Sequence, residues 1–190
     1  MKKIVIDPGH GGVDSGAVSD DLPGVYEKTY ALNISKRLKC LAEMDGKFEC
    51  LMTRTEDVFL SLDARAKMAN DWGADLFVSI HHNARFVEQP GIEVETFYYI
   101  GSALTSFSSK VADHIQTELI LGMKKHGELV IDRGVKQANF AVLRKTKMPA
   151  ILTELGFITD KDEATWLGVS LNRALLAELL LSGIASALGV

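Results

Sequence analysis

Three of the chain's five histidines fall in two short polar clusters, each at the end of an apolar run, and a later apolar run ends on a glutamate. KIVID (3–7) leads into Asp7-Pro8-Gly9-His10-Gly11-Gly12. DLFVSIH (75–81) ends at His81-His82-Asn83, and AILT (150–153) runs into Glu154-Leu155-Gly156. Glu27 lies four residues before Ala31 and so extends the helical stripe Ala31, Ile34, Leu38, Leu41. A carboxylate on such a core-facing stripe costs several kcal/mol of desolvation unless something pairs it, and a bound cation would do so. Two imidazoles and a carboxylate suit Zn2+, and three protein ligands leave a fourth position open for water.

Each of these residues also has a plain structural reading. His10 could serve only the geometry of its loop, and Glu27 could cap its helix or reach out to water. Side chains alternate along a strand, so at most one of His81 and His82 points with His10. Glu154 could pair with a buried arginine such as Arg54 or Arg65, and His114 and His126 read as surface or core residues. There is no HExxH, so spacing alone is weak support for a metal. DPGHGG lacks both the Lys-Ser/Thr of a P-loop and a full GxGxxG, which weakens a phosphate-cradle reading.

These residues need elements to position them. The spacing predicts strands over 3–7, 48–53, 75–81, 92–100, 140–143 and 150–154. It predicts helices from Tyr26 to a stop at Gly46, over 61–72 with Ser61 as N-cap and Gly73 as stop, over 105–121, and over 171–188. Ile92, Val94 and Thr96 alternate with Glu93 and Glu95, which suggests an edge strand with one wet face. Strands alternating with helices indicate an α/β fold: one domain over 1–190, with a twisted, mostly parallel or mixed sheet of about six strands and helices on both faces. In such sheets ligands bind beyond the carboxyl ends of the strands, where these imidazoles and carboxylates gather.

With 21 basic and 25 acidic residues the net charge is −4, which argues against a protein built to hold nucleic acid. Two cysteines, Cys40 and Cys50, exclude a disulfide scaffold and read as buried thiols. No uninterrupted apolar run approaches the ~18 residues of a membrane span, and the apolar run before Asp7 is too short for a signal-peptide core.

Six blocks in order, IDPGHGGVDSGAV (6–18), YEKTYALNISKRL (26–38), TRTEDVFLSLDARAKMAN (53–70), DLFVSIHHNA (75–84), RGVKQANFAVLR (133–144) and MPAILTELGFITDKDEATWL (148–167), cover most of the chain. Together they resemble the zinc-dependent N-acetylmuramoyl-L-alanine amidases of bacteria and their phages. The resemblance implies that His10, Glu27 and His81 hold one Zn2+ and that Glu154 is the catalytic acid/base. His82, where the family more often has a small residue, is expected at the cleft rim or in water without a role. Arg65, Asn70 and Arg133 also match family positions and are read as structural. The implied reaction is hydrolysis of the amide between N-acetylmuramic acid and L-alanine of the peptidoglycan stem. The chain is expected to work at the cell wall as a monomer, with no nucleic acid partner, no transmembrane segment and no leader, as in a phage lysin or an excised catalytic domain. The rival readings are a silent wall-binding relative, which should have lost one of these four residues, and a zinc peptidase acting on wall peptides.

Overall fold

The helices begin and end where local chemistry places them. Ser61 accepts a hydrogen bond from the Ala64 N–H at 3.2 Å, and Gly46 and Gly73 close two helices in the left-handed conformation, with φ of 74° and 68°. The computed structural model describes residues 1–85, 89–101 and 103–190. In chain order the elements are β1 (Lys2–Pro8), α1 (Glu27–Asp45), β2 (Phe48–Met52), α2 (Leu62–Trp72), β3 (Leu76–Asn83), β4 (Ile92–Tyr98), α3 (Thr105–Lys125), β5 (Val130–Gln137), α4 (Ala141–Lys145), β6 (Ala150–Phe157), α5 (Lys161–Gly168) and α6 (Ser170–Leu188).

The strands form one sheet in the order β2-β1-β3-β6-β4-β5. β2, β1, β3 and β6 run parallel, β4 runs antiparallel to β6, and β5 is parallel to β4. The sheet is therefore mixed. On one face Ile4, Ile6, Val78, Ile80 and Leu155 pack with Ile34 and Leu38 of α1, Ile115 and Leu119 of α3, and Leu180 and Ile184 of α6. On the other, Val5, Phe77, Ala150 and Leu152 pack with Ala69 of α2 and Val142 and Leu143 of α4. The expected α/β sheet with helices on both faces is what the chain forms.

Several local expectations are corrected. β4 is not an edge strand; it lies between β6 and β5, and β5 forms the edge. Its glutamates are not wet either. Glu93 and Glu95 are 2% and 3% exposed, and they pair with Arg133 at 2.7 and 2.9 Å. The segment 140–143 is not a strand. Phe140 is an extended N-cap, and one turn of helix then sets Val142 and Leu143 together on the sheet. A run this short has too few periods to separate helix from strand. The strand of that region is β5, whose pattern is interrupted by an extra residue, Arg133, opposite the Val94–Glu95 step of β4. Helix α5, capped by Asp160 through the Asp162 and Glu163 N–H groups, adds an element the sequence reading lacked.

Cys40 is exposed rather than buried. Cys50 is half-buried, and burial pushes its thiol up to about 11. Taken as a whole, α6 is long and apolar enough to cross a membrane, although no uninterrupted run within it is; Leu176, Leu180 and Ile184 are buried in the core here.

Candidate metal centre and its cleft

β1 and β3 pair in register from Ile4–Leu76 to Pro8–Ile80, so the residues after Pro8 emerge beside His81. Gly9 donates to the Ile80 carbonyl at 3.0 Å, and a Cβ at Gly9 would lie 2.4 Å from the His81 ring. Glycine here lets the imidazole lie against the backbone. Glu27 opens α1. The residues before it are tied back by two bonds, Glu27 N–H to the Ala17 carbonyl at 2.9 Å and Lys28 N–H to the Ser15 carbonyl at 3.2 Å. Gly16 has φ +66°, and a Cβ there would fall 2.4 Å from Glu27 Oε2 and 2.6 Å from His10 Cδ2. Only glycine fits this position on both counts.

These contacts bring His10, Glu27 and His81 together, with one ligand atom from each lying within 4.8 Å of the others. His10 Nε2 and His81 Nδ1 lie 3.0 and 2.8 Å from the same oxygen, Glu27 Oε1. The His82 N–H donates to that oxygen at 3.1 Å, and the Ala17 N–H donates to Oε2 at 2.8 Å. Burial opposes a charge on Glu27, which is 3% exposed, but the hydrogen bonds and charges of His10 and His81 prevail and hold its carboxyl well below the usual carboxylate range. Glu27 is thus neither a simple helix cap nor a side chain in water.

His10 has φ 56°, the one left-handed residue besides glycine among the described residues. Backbone of this kind persists only where its surroundings hold it. Arg65 donates to the His10 and Pro8 carbonyls, both at 2.6 Å, and Arg54 donates to the Gly9 carbonyl at 2.6 Å. Arg65 also pairs with buried Asp7 at 2.9 Å, while Thr53 and Ser79 donate to the same carboxylate. Both arginines are therefore committed to the loop that carries His10. Burial and the neighbouring Arg65 lower the Arg54 guanidinium to about 10.

The sequence reading missed Asp14. Its Oδ2 lies 2.9 Å from His10 Nδ1, the ring nitrogen turned away from Glu27. Burial lowers the His10 pKa, but Glu27 and Asp14 together outweigh it and raise the value. The approach does not make a hydrogen bond, so Asp14 acts on the imidazole as a neighbouring negative charge. The only signal was an aspartate four residues after the histidine, in a loop where spacing does not place side chains.

Glu154 stands opposite His81 in the β3–β6 register and opposite Glu95 in the β6–β4 register. It has no arginine partner, and its buried Oε2 makes no hydrogen bond among the described residues. Burial first, then the charges of Glu27 and Glu95, raise its pKa well above the usual carboxylate value. It lines a cleft of about 490 Å3 with His10, His81, Asp14, Phe59, Leu62 and Phe140. The cleft therefore sets two of the three converging side chains, His10 and His81, beside a carboxyl with no structural partner.

His82 is placed differently from expectation. It is 2% exposed, and Nδ1 lies 2.7 Å from the Leu155 carbonyl. Its ring packs edge-on to Tyr30, and burial lowers its pKa to about 4. The alternation of β3 turns His81 to the cleft and His82 to the core. Asn70 bonds Lys145 and Lys147 backbone, and Arg65 and Arg133 are also held in the bonds described, so all three have structural partners. His114 and His126 are exposed.

Known proteins resemble this chain along most of its length. A family model described as N-acetylmuramoyl-L-alanine amidase matches residues 4–186. The chain is 41% identical over 174 residues to a sporulation-specific N-acetylmuramoyl-L-alanine amidase of Bacillus subtilis, covering 90% of this chain and 62% of that protein. It is 40% identical over 168 residues to the endolysin of Bacillus phage SPP1, covering 88% and 59%. It thus spans about three fifths of the length of these curated relatives. The crystal structure of an N-acetylmuramoyl-L-alanine amidase from Clostridium difficile 630 matches with a TM-score of 0.90 at 34% identity, covering 99% of this chain and 97% of that one. The catalytic domain of the amidase CwlV from Bacillus (Paenibacillus) polymyxa matches with a TM-score of 0.88 at 34% identity, covering 100% and 99%.

Proposed function

Since the chain belongs to the N-acetylmuramoyl-L-alanine amidase family, we propose that it hydrolyses the amide between the lactyl group of N-acetylmuramic acid and L-alanine of peptidoglycan, with one Zn2+ held by His10, Glu27 and His81. The observation that carries this reading is the convergence of those three side chains at the edge of a cleft that His10, His81 and the unpartnered Glu154 line.

The residues fit the ion. Two imidazoles and one carboxylate are zinc donors, and Glu27, buried between two histidines, is the charge that a cation would balance. When bound, zinc supplies Lewis acidity, which activates water and polarises the scissile carbonyl. Asp14 sets a negative charge beside the His10 ring, and the Gly9–His10 backbone is held by Arg54 and Arg65. Glu154 takes a proton from the attacking water as its oxygen bonds to the carbonyl carbon. Glu154 then passes that proton to the alanine nitrogen as the C–N bond breaks. An amide nitrogen leaves poorly unless protonated, so one carboxyl serves both steps, and such proton transfer contributes about 100- to 10,000-fold. Action at the cell wall, by a chain working as a monomer, completes the proposal.

The test is digestion of purified cell wall followed by mass spectrometry. Intact stem peptides with a free L-alanine amine are expected, with activity lost on chelation and restored by Zn2+. Cuts within the glycan or the peptide, or undiminished activity after confirmed metal loss, would overturn the reading.

A further inference from the structure

The strip of sheet next to Glu154 has an unusual composition. Glu95 faces Glu154 across the β4–β6 ladder, so the two backbones lie about 5 Å apart there. Glu95 is 3% exposed and fully occupied: Asn83 donates to Oε1 at 2.6 Å, while Arg133 Nε at 2.9 Å and Lys136 share Oε2. Arg133 Nη1 adds a bond to buried Glu93 at 2.7 Å, and the guanidinium lies 5.0 Å from the Phe157 ring centroid. The buried carboxylates thus fix two cations whose side chains keep 34% and 39% of their surface open. Arg133 Nη2 has no hydrogen-bond partner among the described residues, and one bonded oxygen leaves further Lys136 donors free. The extra residue that makes the bulge in β5 is Arg133 itself, and bulges re-aim side chains.

The group that protonates the leaving nitrogen must touch it, so the first residues of the leaving peptide come within reach of the side chains beside Glu154, which on the β4 side are those held by Glu95. In a stem whose second residue is γ-linked glutamate, the free α-carboxylate lies about 7 Å from the scissile nitrogen when extended. The step from Glu154 to Glu95, plus one hydrogen bond to the cations, covers a similar distance.

We propose that Arg133 and Lys136, held in place by Glu95 and Glu93, form the subsite that binds the free carboxylate of the second stem residue on the leaving-peptide side. The inference rests on the amidase reading and adds to it a preference among stem peptides: acidic over amidated. Pairing of a carboxylate with a preorganised guanidinium is charge-assisted and directional, whereas a neutral amide forfeits that gain.

The experiment uses two disaccharide peptides that differ only at this position, γ-linked D-glutamate against D-isoglutamine. The wild-type protein should favour the acid by about 10-fold in kcat/KM, with the difference in KM. In Arg133→Gln and Lys136→Gln that ratio should fall toward one, with bound metal and melting temperature recorded for each. The ratio is internal to each variant, so a loss of folded protein lowers both rates and leaves it unchanged. Equal cleavage of both substrates by the wild type overturns the inference alone, as does a wild-type preference that survives in both variants. Cleavage of neither substrate overturns the amidase reading and takes this inference with it.

Discussion

Replacing Glu154 by glutamine separates its chemistry from its packing. The buried Oε2 makes no hydrogen bond, so Glu154→Gln removes no ion pair and no capped charge. In metal-free protein, burial and then the charges of Glu27 and Glu95 work against a charge on Glu154, and glutamine is neutral and of the same shape. The metal-free variant should therefore be no less stable than wild type at neutral pH, with a melting temperature that does not fall. Turnover should fall by about 100- to 10,000-fold, because the amide cannot take and return a proton. The loss should lie in kcat, with zinc content unchanged.

The same variant carries a pH signature. In metal-free protein the folded state keeps the Glu154 proton at pH values where the unfolded chain has released it. Wild-type stability from this group is complete below the ordinary carboxylate range and is lost as pH rises through the raised value. Glutamine does not titrate, so the stability of Glu154→Gln relative to wild type should grow with pH. Zinc content, calorimetry from pH 4 to 9 and the rate of wall-peptide release measure all three quantities. A zinc-loaded variant that turns over within tenfold of wild type would refute the proton-transfer role. A fall of more than about 10 °C at pH 7 would refute the account of Glu154 as unpartnered.

Asp14→Ala should lower zinc affinity by about 10- to 100-fold while the fold persists, measured by competition with a chromophoric chelator; unchanged affinity would show that His10 needs no carboxylate behind it. Arg65→Met strands the Asp7 charge in the core and should cost about 3–5 kcal/mol in urea unfolding, with a partial return in the Asp7→Asn/Arg65→Met double variant. For Asp160, burial is outweighed by Arg85 and by the Glu163 and Gln89 N–H groups, which hold the carboxyl below the usual range. The stability this confers is present above about pH 4 and fades as pH falls through the lower folded value. Asp160→Asn, an equally good N-cap, should therefore cost about 1–2 kcal/mol at pH 7 and much less at pH 3, as read from urea midpoints.

The local signals in the chain settled a good part of this molecule. Ser61, Gly46 and Gly73 mark helix ends through bonds and backbone angles that span only a few residues. KIVID, DLFVSIH and AILT are apolar runs that any burial would turn into strands, and the polar residues ending them fall at one end of a parallel sheet for that reason. Glu27 on an apolar stripe announced a buried charge that needed a partner. The sequence blocks supplied the family, and that resemblance implied His10, Glu27, His81 and Glu154 as the expected set. Local pattern failed where the deciding contact came from far along the chain. Glu93 and Glu95 alternate as on a wet edge, yet β5 closes over that edge and brings Arg133 and Lys136 to neutralise them. Val142 and Leu143 gave no period to read, and the sheet beneath them chose a helical turn because it buries both. The alternation of β3 allowed one histidine of the pair in the cleft; the way Glu27 and Leu155 meet that strand decided which. Asp14 is oriented only by the loop that returns it to His10. Periodicity encodes which residues share a face, but which face is covered, and by what charge, is a property of strand order and is decided only when distant segments pair.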